Sequence, residues 1–150
     1  MAGELRTEFL MDLHATLNEQ SYPVGDAGRG TRIVVTVSDG TFEGPHLRGM
    51  IEPVGGDWLV RRTDDVVQLD VRAILRTDDG ATIQMTVGGY RHQQSLGPLG
   101  ELPEGEIYFR TQPVFETGDE RYAWLNRIVA IGVGMPADPG SVSYRIYAVL

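Results

Sequence analysis

The sequence predicts an all-β fold, a single antiparallel β-barrel of about eight to ten strands around a central cavity. Three observations carry that expectation. Runs rich in β-branched and aromatic residues recur at short, regular intervals and are separated by Gly, Pro, Asn and Asp clusters, as in an antiparallel sandwich or barrel. Several runs alternate polar and apolar side chains with the period of two of a half-buried strand, and none shows a convincing helical period. The final run, SVSYRIYAVL, is a strong β-former that would leave a hazardous open edge unless it closed onto another strand. That last point favours the barrel.

In order along the chain, residues 9–17 place Phe9, Met11, Leu13, Ala15 and Leu17 on one side and Leu10, Asp12, His14 and Thr16 on the other. Good helix formers in 4–17 compete, but the apolar spacing suits a strand. Residues 18–30, with Pro23, Gly25, Gly28 and Gly30, read as a loop long enough for a rim or lid. TRIVVTVS at 31–38 is a strand. After a turn at 39–45, a short strand at 47–52, a turn at 54–57 and a strand at 58–61 follow. A further turn at 62–65 leads into 66–76, where Val67, Leu69, Val71, Ala73 and Leu75 share one face. Asp78-Asp79-Gly80 signals a type I′ hairpin, so 82–90 pairs antiparallel with 66–76. A second long loop covers 93–105. Strands at 106–115 and 122–134 form a dense aromatic stretch, YFRTQPVFETGDERYAWLN, joined at 116–121 and expected at the barrel mouth. A turn at 135–140 precedes the last strand, 141–150.

At 150 residues the chain fits one domain, 1–150. Cysteine is absent, which excludes disulfides, a thiolate nucleophile and Cys-based zinc sites. All 13 basic residues are arginine, so Schiff-base chemistry and a P-loop are excluded and arginine is the fixed cation. A net charge of -8 with scattered arginines argues against nucleic acid. No apolar run approaches the roughly 20 residues of a membrane-spanning helix, and the start lacks a signal-peptide core, so a cytoplasmic protein is expected.

The candidate site residues follow from the strand pleat. Asp70 and Arg72, two apart, project from one side of their strand. If that side is the cavity, Asp70 is a base or anchor beside a guanidinium; if it is the outer face, the pair is solvated and worth little. Tyr108 and Arg110 pose the same choice on the next run, with Arg110 a clamp for a planar anion or an arginine lying over Tyr108 at the surface. Glu116, where the strand meets the turn, is either a rim acid or base or a solvated turn glutamate. Trp58 and Trp124 are the two tryptophans, cavity walls or core. Asn126, taken to share a face with Trp124, either meets a ligand oxygen or satisfies backbone groups. His14, on the polar face of the first strand, is a proton-shuttle candidate. His14, His46 and His92 lack metal-ligand spacing, so no metal is expected. There is no G-x-S-x-G elbow, and Gly88-Gly89 and Gly132 to Gly134 fall in strands as bends or bulges.

The motifs DVRAILRTDDGATI, YFRTQPVFET and YAWLN, in this order and spacing, resemble the family of small bacterial and fungal proteins numbered 3237 among domains of unknown function, over nearly the whole chain. The resemblance implies a calycin-like or lipocalin-like barrel with a central cavity, and the recurrence of Asp-x-Arg strengthens Asp70 and Arg72 as candidates. It assigns no activity.

The residues favour a cofactor-independent enzyme acting on a small, mostly apolar oxygenated molecule by isomerisation, cyclisation or addition-elimination. Asp70 is the expected base, Arg72 and Arg110 the anion stabilisers and Tyr108 the proton donor. His14, Trp58, Glu116, Trp124 and Asn126 are the expected substrate-binding residues. A non-catalytic small-molecule-binding barrel and a structural or interaction domain are the competing readings. A homodimer through an exposed β face is a further expectation.

Overall fold

The computed structural model describes residues 3–150. Eight strands wind as an antiparallel meander into a closed barrel: β1 (Thr7–Asp26), β2 (Thr31–Glu43), β3 (Arg48–Arg61), β4 (Val67–Thr77), β5 (Thr82–His92), β6 (Tyr108–Glu116), β7 (Val129–Met135) and β8 (Ser141–Val149). Each strand pairs with the next, and β8 closes onto β1 from Thr7 opposite Val149 to Thr16 opposite Ser141. Closure removes both edges, the hazard that the final apolar run posed.

The pleat sorts the side chains as the alternation requires. On β4 Leu69, Ala73 and Leu75 are buried, and their partners on β5, Met85 opposite Ala73 and Ile83 opposite Leu75, are buried too. Register continues to β6, where Phe115 opposite Met85 faces inward. A register shift between Phe9 and Met11 lets both Leu10 and Met11 enter the core, while Phe9 packs edge-on to Tyr147.

Several boundaries differ from the sequence reading, each for a local reason. Residues 18–26 are not a lid. Despite their glycines and proline they continue β1, pairing with β2 down to Asp26 opposite Thr31, with register shifts absorbing the irregular residues. The turn expected at 54–57 is a bulge inside one long β3: pairing with β4 shifts between Ile51 and Gly55, and Gly55 takes φ 90°. Two expected strands thus merge, and the count is eight. At Asp78-Asp79-Gly80 the hairpin stands but its turn type does not. Gly80 alone of the three has positive φ and donates to the Thr77 carbonyl at 3.0 Å, a type I turn with a left-handed glycine behind it.

The largest departure is at 120–127. The first part of the strand expected at 122–134 is a 3-10 helix, Glu120–Arg127, and only the rest is a strand, β7; the helix is started by Asp119, whose carboxylate accepts the Arg121 amide at 3.0 Å. Tyr122 and Leu125, three apart as a 3-10 helix requires, are buried together. The Tyr122 hydroxyl donates to Asp79 at 2.7 Å, and Asn126 exchanges two bonds of 2.8 Å with the backbone of Thr117. The helix therefore closes one end of the barrel over a core of Leu10, Met11, Leu75, Ile83 and Phe115. The loops 62–66, 93–107 and 136–140 gather at the other end.

Candidate functional site

That other half is hollow. A cavity of about 750 Å³ opens among the loops and reaches down to Leu13, Ile51, Ala73 and Met85. Its wall is mostly aliphatic, so the few polar side chains that enter it stand out.

Asp57 is the first. On β3 it pairs with Val35 of β2 and Val71 of β4, and it lines the cavity with them. Pairing of β3 with β4 skips Trp58 and Leu59, and in that gap the Asp70 amide donates to the Asp57 carboxylate at 2.9 Å. Burial in the apolar wall pushes the Asp57 carboxyl up to about 6; the Asp70 amide pulls the other way, and the Asp70 carboxylate adds a further upward push. Near neutrality Asp57 is therefore poised between acid and base.

Tyr144 is the second. It sits on the inward face of β8 with Ile146 and Ala148 and is 7% exposed. Burial raises its hydroxyl far above the ordinary tyrosine range, with the Asp57 carboxylate pushing the same way and Arg91 opposing. It stays protonated as a donor. Among the described residues its hydroxyl has no hydrogen-bond partner, so it is left for a ligand.

Arg91 is the third. It ends the inward row of β5, opposite Val67 and Phe109, and its guanidinium lies 5.6 Å from the centre of the Phe109 ring. Phe109 in turn meets Tyr144 edge-on at 5.4 Å, and it rests on Gly134, where any Cβ would strike the ring. Arg91, Phe109 and Tyr144 thus form one continuous wall, and Asp57 lies within electrostatic reach of Tyr144.

The residues singled out in the sequence fall elsewhere. Asp70 and Arg72 are exposed and alternate with inward Leu69, Val71 and Ala73, so their side chains take the outer face of β4. Asp70 touches the site only through its amide. Tyr108 and Arg110 alternate with inward Phe109 and Thr111; the Arg110 guanidinium stacks on Tyr108 at 5.5 Å and donates to the Phe109 carbonyl, the surface alternative. Arg72 and Arg110 border the cavity, yet the pleat sends both side chains away from it. His14, bonded to Ser143 at 2.7 Å, and Trp58 are likewise on the outer face. Glu116, Trp124 and Asn126 belong to the closed end, not the mouth, because 120–127 is helical. There Trp124 packs against the core and meets His46 edge-on, and Asn126 serves Thr117. Among the described residues no three His, Asp or Glu converge as metal ligands, and no helix is long and apolar enough to cross a membrane.

A closed eight-stranded meander with one hollow, largely apolar end and a small ionisable group inside it defines a barrel built with room for a small molecule. The chain belongs to the family described as protein of unknown function (DUF3237), whose model matches residues 5–149. It is 30% identical over 141 residues to a UPF0311 protein of Rhodopseudomonas palustris, covering 88% of this chain and 89% of that one. A β-barrel-like protein of Acinetobacter baumannii superposes with a TM-score of 0.89 at 31% identity, covering 100% of this chain and 99% of the other. More distant is a hydroalkoxylation enzyme of Penicillium herquei, 25% identical over 141 residues, 93% of this chain and 80% of the enzyme. A solved enzyme from the same fungus shares the fold at a TM-score of 0.69 and 21% identity, covering 97% of this chain and 95% of the other.

Proposed function

We propose that this protein is a cofactor-independent enzyme acting by acid-base chemistry on a small, mostly apolar oxygenated molecule held in the barrel cavity. The observation that carries the reading is Asp57, a carboxyl with a pKa of about 6 facing an aliphatic cavity beside an unpartnered tyrosine hydroxyl. Similarity to a hydroalkoxylation enzyme supports, as the reaction class, addition of O–H across a carbon–carbon double bond. In such a step ionised Asp57 takes the proton of the substrate hydroxyl while its oxygen forms the new C–O bond. The π electrons move to the far carbon, which receives a proton from Tyr144 while Asp57 passes the proton it has taken back to the tyrosine oxygen, so that both groups end as they began. Nothing is oxidised or reduced, and an intramolecular reaction gives an isomer of the substrate. Asp57 replaces Asp70 as the base, and Tyr144 replaces Tyr108 as the donor.

The test is turnover of phenols and alcohols carrying an alkenyl side chain, followed as a new chromatographic peak of unchanged mass. Wild-type kcat should rise with pH through about 6 as Asp57 ionises. Asp57→Asn should lower it on the order of 10²-fold or more, the usual worth of a positioned acid-base group. Full activity in Asp57→Asn would overturn the assignment of the base. Tight binding of the whole panel without turnover would favour the non-catalytic barrel.

A further inference from the structure

We infer that the cavity selects ligands carrying a planar anionic oxygen group, a carboxylate, which Arg91 binds at the mouth while the apolar body of the ligand lies toward Ala73 and Met85. This deepens the proposed function and rests on the cavity being a small-molecule site. Three arginines border the cavity, and two have their side chains on the outer face: Arg72 by the pleat of β4, and Arg110 by its stacking on Tyr108. Arg91 alone of the three stands in an inward row, between Val67 and Phe109. Its guanidinium is held over the Phe109 ring, which orients the planar fork without using its donors. Among the described residues Arg91 forms no ion pair, whereas Arg62, Arg76, Arg121 and Arg145 each bind a carboxylate. A fork of N–H groups, pre-oriented on an aromatic face and unused by the protein, suits a bidentate carboxylate.

The depth of the cavity sets the rest of the ligand. Between Arg91 at the mouth and the floor at Ala73 and Met85 the wall is aliphatic, and the Tyr144 hydroxyl and Asp57 enter from the sides. A molecule with its charge at one end and a second oxygen partway along its length would meet Arg91 with the first and Tyr144 with the second.

The experiment compares matched pairs in binding, with no need for turnover: ω-phenylalkanoates of four to eight carbons and the corresponding primary amides, titrated calorimetrically. Wild-type protein should prefer the acids about tenfold, the scale of a charge-assisted pair at a partly open site. In Arg91→Met, which keeps a long apolar side chain over Phe109, the preference should fall to about one while amide affinity holds. Arg91→Lys should keep part of it, and thermal melts check that each variant is folded. Equal binding of acids and amides by wild type would overturn the inference. So would binding of neither series, or a preference that survives Arg91→Met and disappears in Arg110→Met. A preserved acid preference in a protein with no turnover would sink the catalytic reading and leave the anion site standing. A normal pH step in turnover with no acid preference would do the reverse.

Discussion

Asp57 ties stability to chemistry at the scale of one residue. Its folded pKa of about 6 lies above the ordinary 3.8, so the folded protein holds this proton more tightly than the unfolded chain does. The strain of ionising Asp57 in the barrel is absent below about pH 4, grows between 4 and 6, and is complete above 6, where it costs on the order of 2 kcal/mol. Asparagine keeps the shape and still accepts the Asp70 amide. Asp57→Asn should therefore melt several degrees higher than wild type at pH 7.5, with the gain vanishing near pH 4, in parallel thermal scans. A destabilised variant at pH 7.5 would show that the carboxylate is better solvated than its surroundings imply. The sequence held a partial view of this residue. Asp57 follows Val54, Gly55 and Gly56 and so reads as part of a turn, but it has the same parity as Leu59 and Ile51. Reading 47–61 as one bulged strand would have put it on the apolar face. Tyr144 and Arg91 were similarly legible, the first among Val142, Ile146 and Ala148, the second two steps of two beyond Val87. Charged and polar pairs two apart, Asp70 with Arg72 and Tyr108 with Arg110, are the more conspicuous pattern, and in this barrel they lie outside.

At the scale of the element, the 3-10 helix Glu120–Arg127 departs from the period of two that its residues suggest. Its aromatic residues have high β propensity, but Asp119 supplies a cap, and the three-residue spacing of Tyr122 and Leu125 serves a helix laid across a barrel end. Tertiary position overrode propensity. The helix is tied to the end of β6 by the two bonds between Asn126 and Thr117, so Asn126→Ala should cost about 1 to 2 kcal/mol in urea unfolding. Ligand binding by the folded protein should hardly change, because the cavity is in the other half. A large loss of binding would mean that the two ends are coupled. Strands β4, β5 and β6, by contrast, were readable almost to the residue, since their inward rows are unbroken and their hairpin carries an Asp-Gly signal.

At the scale of the whole molecule, a closed antiparallel barrel of about eight to ten strands follows from the pattern of runs and the need to hide the last strand, and the structure is such a barrel, with eight. What the pattern could not give was which half is filled, because that depends on where one short helix docks. The hollow half can be tested by filling it. Ala73, inward and opposite Met85, borders the cavity, so Ala73→Phe should leave the melting temperature unchanged or raised and lower phenylalkanoate affinity at least about tenfold. A sharp fall in melting temperature with affinity intact would place the ligand elsewhere. The end helix carries one more consequence. With that end sealed, whatever enters the barrel must leave by the way it came, past Arg91 and the loop at 93–107. Two reactants meeting inside, or a product departing beside a waiting substrate, would have to share one doorway. On the proposed function, a blind chamber of this kind suits a single molecule that folds onto itself and goes out rearranged, and it would make that product the natural competitor of the next arrival.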